Sequence, residues 1–70
     1  VRFRQAIIAT GSAPVIPAIP GGESLAVLSS DDVWELDEQP ARLLVLGAGA
    51  IGCELSQAFA RLGSQVTLVH

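Results

Sequence analysis

Residues 43–46 read Leu-Leu-Val-Leu, and the chain then runs directly into Gly47-Ala48-Gly49-Ala50-Ile51-Gly52. A short, wholly apolar run of this kind suits a strand buried on both faces, as in a parallel sheet. The glycines at 47, 49 and 52 spell G-x-G-x-x-G at the point where such a strand would turn into a helix. Each glycine answers a separate geometric need. Gly47 allows a tight turn, Gly49 lets a pyrophosphate approach the backbone, and Gly52 lets the helix lie close to the strand. The loop through Ala48, Ala50 and Ile51 would turn its free N–H groups, at the positive end of the helix dipole, towards phosphates.

The periodicity beyond the loop predicts a helix over 50–62. Its larger apolar residues fall at Ile51, Leu55, Phe59 and Leu62, with Ala58 in the same stripe. Glu54, Gln57 and Arg61 are the polar members of the run. Gly63 follows the last periodic residue, where a left-handed C-terminal cap is expected. Residues 65–69, Gln-Val-Thr-Leu-Val, then read as a second strand. Strand, glycine turn, helix and strand make one βαβ unit, right-handed by the general rule. A glycine-rich turn with no ligand is the competing reading, and it loses weight because strand, helix, cap and second strand all agree.

Seventy residues, half of them hydrophobic and with a single cysteine, offer no disulfide staple. A doubly wound sheet needs more than two strands and one helix to cover both faces. At about 1.5 kcal/mol of entropy per ordered residue, the piece alone sits near zero net stability. The chain therefore reads as an internal segment of a longer protein. A net charge of −3 gives no basic patch for nucleic acid. Gly, Pro, Arg and Asp interrupt every apolar stretch before membrane-spanning length, and residues 1–5 have no signal-peptide pattern.

Before the βαβ unit, residues 3–9 are mostly apolar, with 6–9 as a buried-strand candidate. Pro14, Pro17 and Pro20 make 13–22 an extended, stiff connector, and Val15, Ile16 and Ile19 between them suit a segment lying against a surface. Residues 29–32 carry helix-start chemistry, with Asp32 and Glu35 at capping-box spacing. A short helix over 32–36 is expected, ending before Pro40, with Val33, Trp34 and Leu36 as anchors on a neighbouring domain. For Trp34, packing is preferred to a ring-stacking role.

The run Ile7-Ile8-Ala9-Thr10-Gly11-Ser12-Ala13-Pro14, followed by the glycine fingerprint on a strand, resembles the pyridine nucleotide–disulfide oxidoreductases. The likeness covers essentially all 70 residues, and 51–63 look most like the dihydrolipoamide dehydrogenase and mercuric reductase branch. In that family an A-T-G-S/G-x-P segment closes the first part of an FAD domain. A connector and short helix then lead to an inserted NAD(P) domain that opens with G-x-G-x-x-G-x-E. The resemblance implies an α/β, Rossmann-type start of an NAD(P)-binding domain, preceded by the end of an FAD-binding domain. It divides the chain into 1–22, the flavin-domain end and connector; 23–40, a linker with a short helix; and 41–70, the first βαβ unit.

By the same likeness, Thr10, Gly11 and Ser12 would lie beside FAD. Gly47, Gly49 and Gly52 would hold the NAD or NADP pyrophosphate. Glu54 matches a family glutamate that pairs with a lysine near the flavin, although an exposed first-turn carboxylate is the simpler alternative. His70 stands where NAD-preferring members place an acid on the ribose, which leans slightly towards NADP or relaxed preference. Cys53 is read as a small buried side chain, because the redox pair C-x4-C has no counterpart here. No residue of the chain is assigned a catalytic or metal-binding role.

The implied parent is a cytoplasmic homodimeric flavoenzyme passing a hydride from NAD(P)H to FAD and on to a disulfide or related acceptor. A reductase or oxidase without redox cysteines, and a non-catalytic nucleotide sensor, stand as alternatives.

Overall fold

The computed structural model describes residues 1–70. Its centre is a parallel pair of strands, β1 (Arg42–Leu46) and β2 (Gln65–Val69), joined by a helix, α1 (Ala50–Arg61). The strands run in register from Arg42 opposite Gln65 to Leu46 opposite Val69. This is the α/β unit expected from the periodicity, and the bounds of both strands and of the helix agree with it to within a residue.

Side chains alternate across a strand, so β1 presents Leu43 and Val45 to one side and Leu44 and Leu46 to the other. Val45 lies on the α1 side: its Cγ1 stands 3.7 Å from where a Cβ on Gly52 would project. Helical spacing then sets Leu55, Ser56 and Phe59 on the same flank, and these are the more buried residues of α1. Ile51 and Leu62, expected in the buried stripe, are instead 57% and 68% exposed. The stripe is wider than a two-strand sheet can cover, and its outer margin lies beyond the strands. Ser56 takes a central place instead. Its hydroxyl is buried with no hydrogen-bond partner, which costs about 1–3 kcal/mol.

The helix ends in a two-bond cap. Ser64 N–H donates to the Phe59 carbonyl at 3.0 Å and Gly63 N–H to Ala60 at 3.1 Å, with Gly63 at φ 108°. A second device closes the same end. Gln39 Nε2 donates to the Leu62 carbonyl at 2.8 Å and to Ser64 Oγ at 3.1 Å, while Ser64 Oγ–H donates to the Pro40 carbonyl at 2.6 Å. The residues leading into β1 are thus tied to those leading into β2.

Upstream, three expectations are corrected. Residues 3–9 form no strand, and Ile7 and Ile8 are 92% and 89% exposed. A strand needs a neighbour to receive its hydrogen bonds, and β1 and β2 pair only with each other. The short helix is a single 3₁₀ turn, Val33–Glu35. Its capping box does not form, because the Asp32 carboxylate accepts from Ser29 N–H at 3.2 Å and Ser29 Oγ–H at 2.9 Å. Trp34 is 75% exposed within the chain, which leaves the expected anchoring on a neighbouring domain untested.

Of the connector's apolar residues, Ile16 and Ile19 lie along a surface as expected, whereas Val15 is 88% exposed. Ile16, Ile19, Leu25 and Val27 face Leu44 and Leu46 across an open groove of about 820 Å³. A second 3₁₀ turn, Gly22–Ser24, reverses the chain beside it.

No apolar residue of the chain is fully buried. Hydrophobic stabilisation follows area removed from water, so the 70 residues expressed alone should show no cooperative thermal transition; a sharp melt by circular dichroism would contradict this. In the intact protein, Ser56→Ala should leave the thermal midpoint unchanged or raise it, since it removes an unpaired buried hydroxyl at little change in volume.

Candidate functional site

The site is built at the edge of the sheet where β1 and β2 both end. Gly47 N–H donates to the Val69 carbonyl at 2.7 Å, which carries the parallel ladder one residue into the turn. Gly47 then takes φ 106°, a conformation that side-chain-bearing residues rarely adopt. The chain reverses within two residues and enters α1 at Gly49, an extended N-cap at φ −74°, ψ −174°. A Cβ at Gly52 would collide with the Gly47 carbonyl oxygen. Gly52 therefore permits close packing mainly against the turn, and only secondarily against Val45 of β1.

The helix start is left open. The first bond of the α1 ladder runs from Cys53 N–H to the Gly49 carbonyl at 3.0 Å. No side chain caps Gly49, and the N–H groups of Ala50, Ile51 and Gly52 meet no acceptor in the chain. Free donors of this kind at a helix N-terminus attract anions, helped by the dipole. A Cβ placed on Gly49 would meet nothing within 4 Å. The space beside that glycine is open, so a phosphate oxygen can come close to its backbone. Residues 47–52 accordingly fit a diphosphate.

His70 belongs to the same edge. The Leu46–Val69 pairing and the Gly47 bond to Val69 make it the first residue past β2 beside the turn. It is exposed. Glu54 is exposed as well, but α1 begins at Ala50 and its first turn holds no acid. The carboxylate sits in the second turn, where the pull of the dipole has declined. Cys53 departs from its expected burial: it is exposed, and its Sγ–H donates to the Ala48 carbonyl at 3.4 Å. That contact steadies the turn from the helix side.

Thr10, Gly11 and Ser12 are exposed and irregular, with Gly11 at φ 77°. No hydrogen bond joins them to residues 47–52. The chain thus gathers Gly47, Ala48, Gly49, Ala50, Ile51, Gly52 and His70 at one edge, and residues 10–12 make no hydrogen bond to it. Gln39 and Ser64, which hold the opposite end of the helix, carried no local signal, since each contact joins residues 23 to 25 positions apart. No helix is long and apolar enough to cross a membrane.

The family model for pyridine nucleotide-disulphide oxidoreductases matches residues 1–70. The chain is 52% identical to dihydrolipoyl dehydrogenase 2 of Haloarcula marismortui over 70 residues, covering 97% of this chain and 14% of that protein. It is 52% identical to a mercuric reductase of Streptomyces lividans over 62 residues, covering 89% and 13% of the two chains. A mercuric reductase of Staphylococcus aureus is 48% identical over 70 residues, covering 100% and 13%. The chain spans about a seventh of the length of these relatives. No solved structure matches it.

Two glycine substitutions separate fold from binding. Gly52→Ala should destabilise the intact protein by about 1–3 kcal/mol, read as a fall in thermal midpoint. Gly49→Ala should change stability by no more than about 0.5 kcal/mol, because φ −74° is open to alanine and the space is free. It should nevertheless weaken dinucleotide binding at least about tenfold by calorimetry, by holding the diphosphate off the backbone. Equal effects of the two on stability would contradict the distinction.

Proposed function

The chain belongs to the pyridine nucleotide-disulphide oxidoreductase family, and on that premise we propose that residues 47–52 seat the pyrophosphate of NAD or NADP in a flavin-dependent reductase. The observation that carries the reading is the set of unpaired N–H groups at Ala50, Ile51 and Gly52, beside the free space over Gly49. Backbone amides bind phosphate oxygens without a charged side chain, and the turn supplies none. Gly47 and Gly52 keep the amides in place, one by its positive φ and the other by admitting the turn carbonyl.

On this reading residues 1–22 close a flavin-binding domain, 23–40 link it to the next, and 41–70 open the nucleotide domain. Thr10, Gly11 and Ser12 would contact FAD, through backbone groups and two hydroxyls. Gly11 at φ 77°, with nothing within 4 Å of its Cβ position, has the open backbone such a contact needs. Glu54 would pair with a lysine. The Lys and Arg total of 4 is filled by Arg2, Arg4, Arg42 and Arg61, so that lysine must come from outside residues 1–70. The exposed carboxylate, with no partner in the chain, is free to make the pair.

The bound cofactors supply hydride transfer, from the nicotinamide to the flavin. This chain's part is to hold one of them at the diphosphate and to place a carboxylate near the other. The electrons would then pass to a disulfide or a related acceptor, as the names of the dihydrolipoyl dehydrogenase and mercuric reductase relatives suggest.

The intact protein should purify with a visible flavin absorption band that bleaches on anaerobic addition of NADH or NADPH. A colourless protein that still binds the dinucleotide would overturn the reductase assignment in favour of a nucleotide sensor. Loss of both properties would overturn the site.

A further inference from the structure

We propose that Gln39 is a positioning residue for flavin reduction. Through Ser64 it locks the linker onto the βαβ unit, and so sets how that unit is presented to the flavin-binding part. How tightly the unit holds a dinucleotide is left to the glycine turn. The inference rests on the reductase reading above and adds to it a residue outside that turn.

Residues 37–40 lead into β1 without one backbone–backbone hydrogen bond. Pro40 fixes its own φ and biases Gln39 towards extended backbone, and the remaining torsions need an anchor. Side chains supply it. The two hydrogens of Gln39 Nε2 go to the Leu62 carbonyl at 2.8 Å and to Ser64 Oγ at 3.1 Å. Ser64 Oγ–H donates to the Pro40 carbonyl at 2.6 Å, which returns the chain of bonds to the residue after Gln39. Every group is matched. Leu62 offers only an acceptor, so the amide presents its nitrogen there, and the hydroxyl accepts once and donates once.

The clasp is not what holds the strands together. Gln39 is exposed, so its replacement opens no cavity. The β1–β2 pairing has its own backbone bonds, down to Gln65 N–H on the Ala41 carbonyl at 2.9 Å. What the clasp adds is direction. At about 3.3 Å per residue, the glycine turn stands about 17 Å beyond the start of β1, and a swing of about 5° at that start moves it by about 1.5 Å. Hydride donor and acceptor must meet at about 3–3.5 Å, and a misplacement of about 1 Å costs up to about a hundredfold in rate. With 23–40 as the linker between the two domains, a loose stretch at 37–40 would allow that swing.

The test compares Gln39→Glu and Gln39→Lys in the intact protein. Ionised glutamate keeps the shape of glutamine and loses the donor, whereas lysine restores donors at a helix C-terminus, where its charge is also favoured. Gln39→Glu should slow flavin bleaching at saturating NADH or NADPH by at least about tenfold. Its dinucleotide dissociation constant, by calorimetry, should stay within about threefold of wild type. The Gln65 amide beside the clasp should exchange with solvent at least about tenfold faster, with the Gly47 amide at the other end of the ladder unchanged. Gln39→Lys should keep the bleaching rate within about threefold of wild type. Equal bleaching rates in wild type and Gln39→Glu, or an unchanged Gln65 amide, would overturn the inference. So would loss of dinucleotide binding in Gln39→Glu, which makes the clasp a support of the site itself, or slowing in Gln39→Lys as large as in Gln39→Glu. A wild type that binds the dinucleotide and does not bleach would overturn the reductase reading instead.

Discussion

Everything at the sheet edge follows from one close approach, that of the Gly52 backbone to the Gly47 carbonyl. A side chain at Gly52 would occupy the place of that oxygen. The contact brings the start of α1 hard against the turn that leaves β1. Once the helix starts there, its first N–H groups have no carbonyl behind them, because Gly47 turns the chain through positive φ and Gly49 is extended. The open N–H groups of the loop are thus a by-product of how tightly strand and helix are joined. Any looser connection would let a side chain or an earlier carbonyl cap those donors.

The other end of the helix is finished by different means. Gly63 and Ser64 use their own N–H groups to satisfy Ala60 and Phe59, and Gln39 satisfies Leu62 from before the first strand. Ser64, one of the two buried residues, bonds to Pro40 in turn. Between them these contacts set where β2 begins relative to β1, and hence where it ends. His70 reaches the rim because the register is pinned at this far end. The cluster at this end thereby sets which residue follows β2 beside the glycine turn.

Much of this was legible in the residues themselves. The run at 43–46, the glycine triplet, the helical spacing to Leu62, Gly63 and the β-branched second strand are all local signals, and all of their elements exist. What failed depends on partners distant in the chain. Ile7 and Ile8 have strand character but no neighbouring strand, and Ile51 and Leu62 belong to an apolar stripe wider than two strands can bury. Asp32 and Glu35 have capping-box spacing, yet a serine three residues earlier takes the carboxylate. Gln39 and Ser64 went unnoticed because no pattern within a few residues marks a contact across the βαβ unit.

The amides of Ala50, Ile51 and Gly52 have no acceptor in the chain, and the proposed site stands on their receiving phosphate oxygens. Residue-resolved amide hydrogen exchange on the intact protein, with and without saturating NADP⁺, addresses it most directly. Those three amides should exchange freely without the dinucleotide and become protected with it. Cys53, already bonded to Gly49, should be protected in both states. Protection of all four without ligand, or no change at 50–52 on saturation, would contradict the claim.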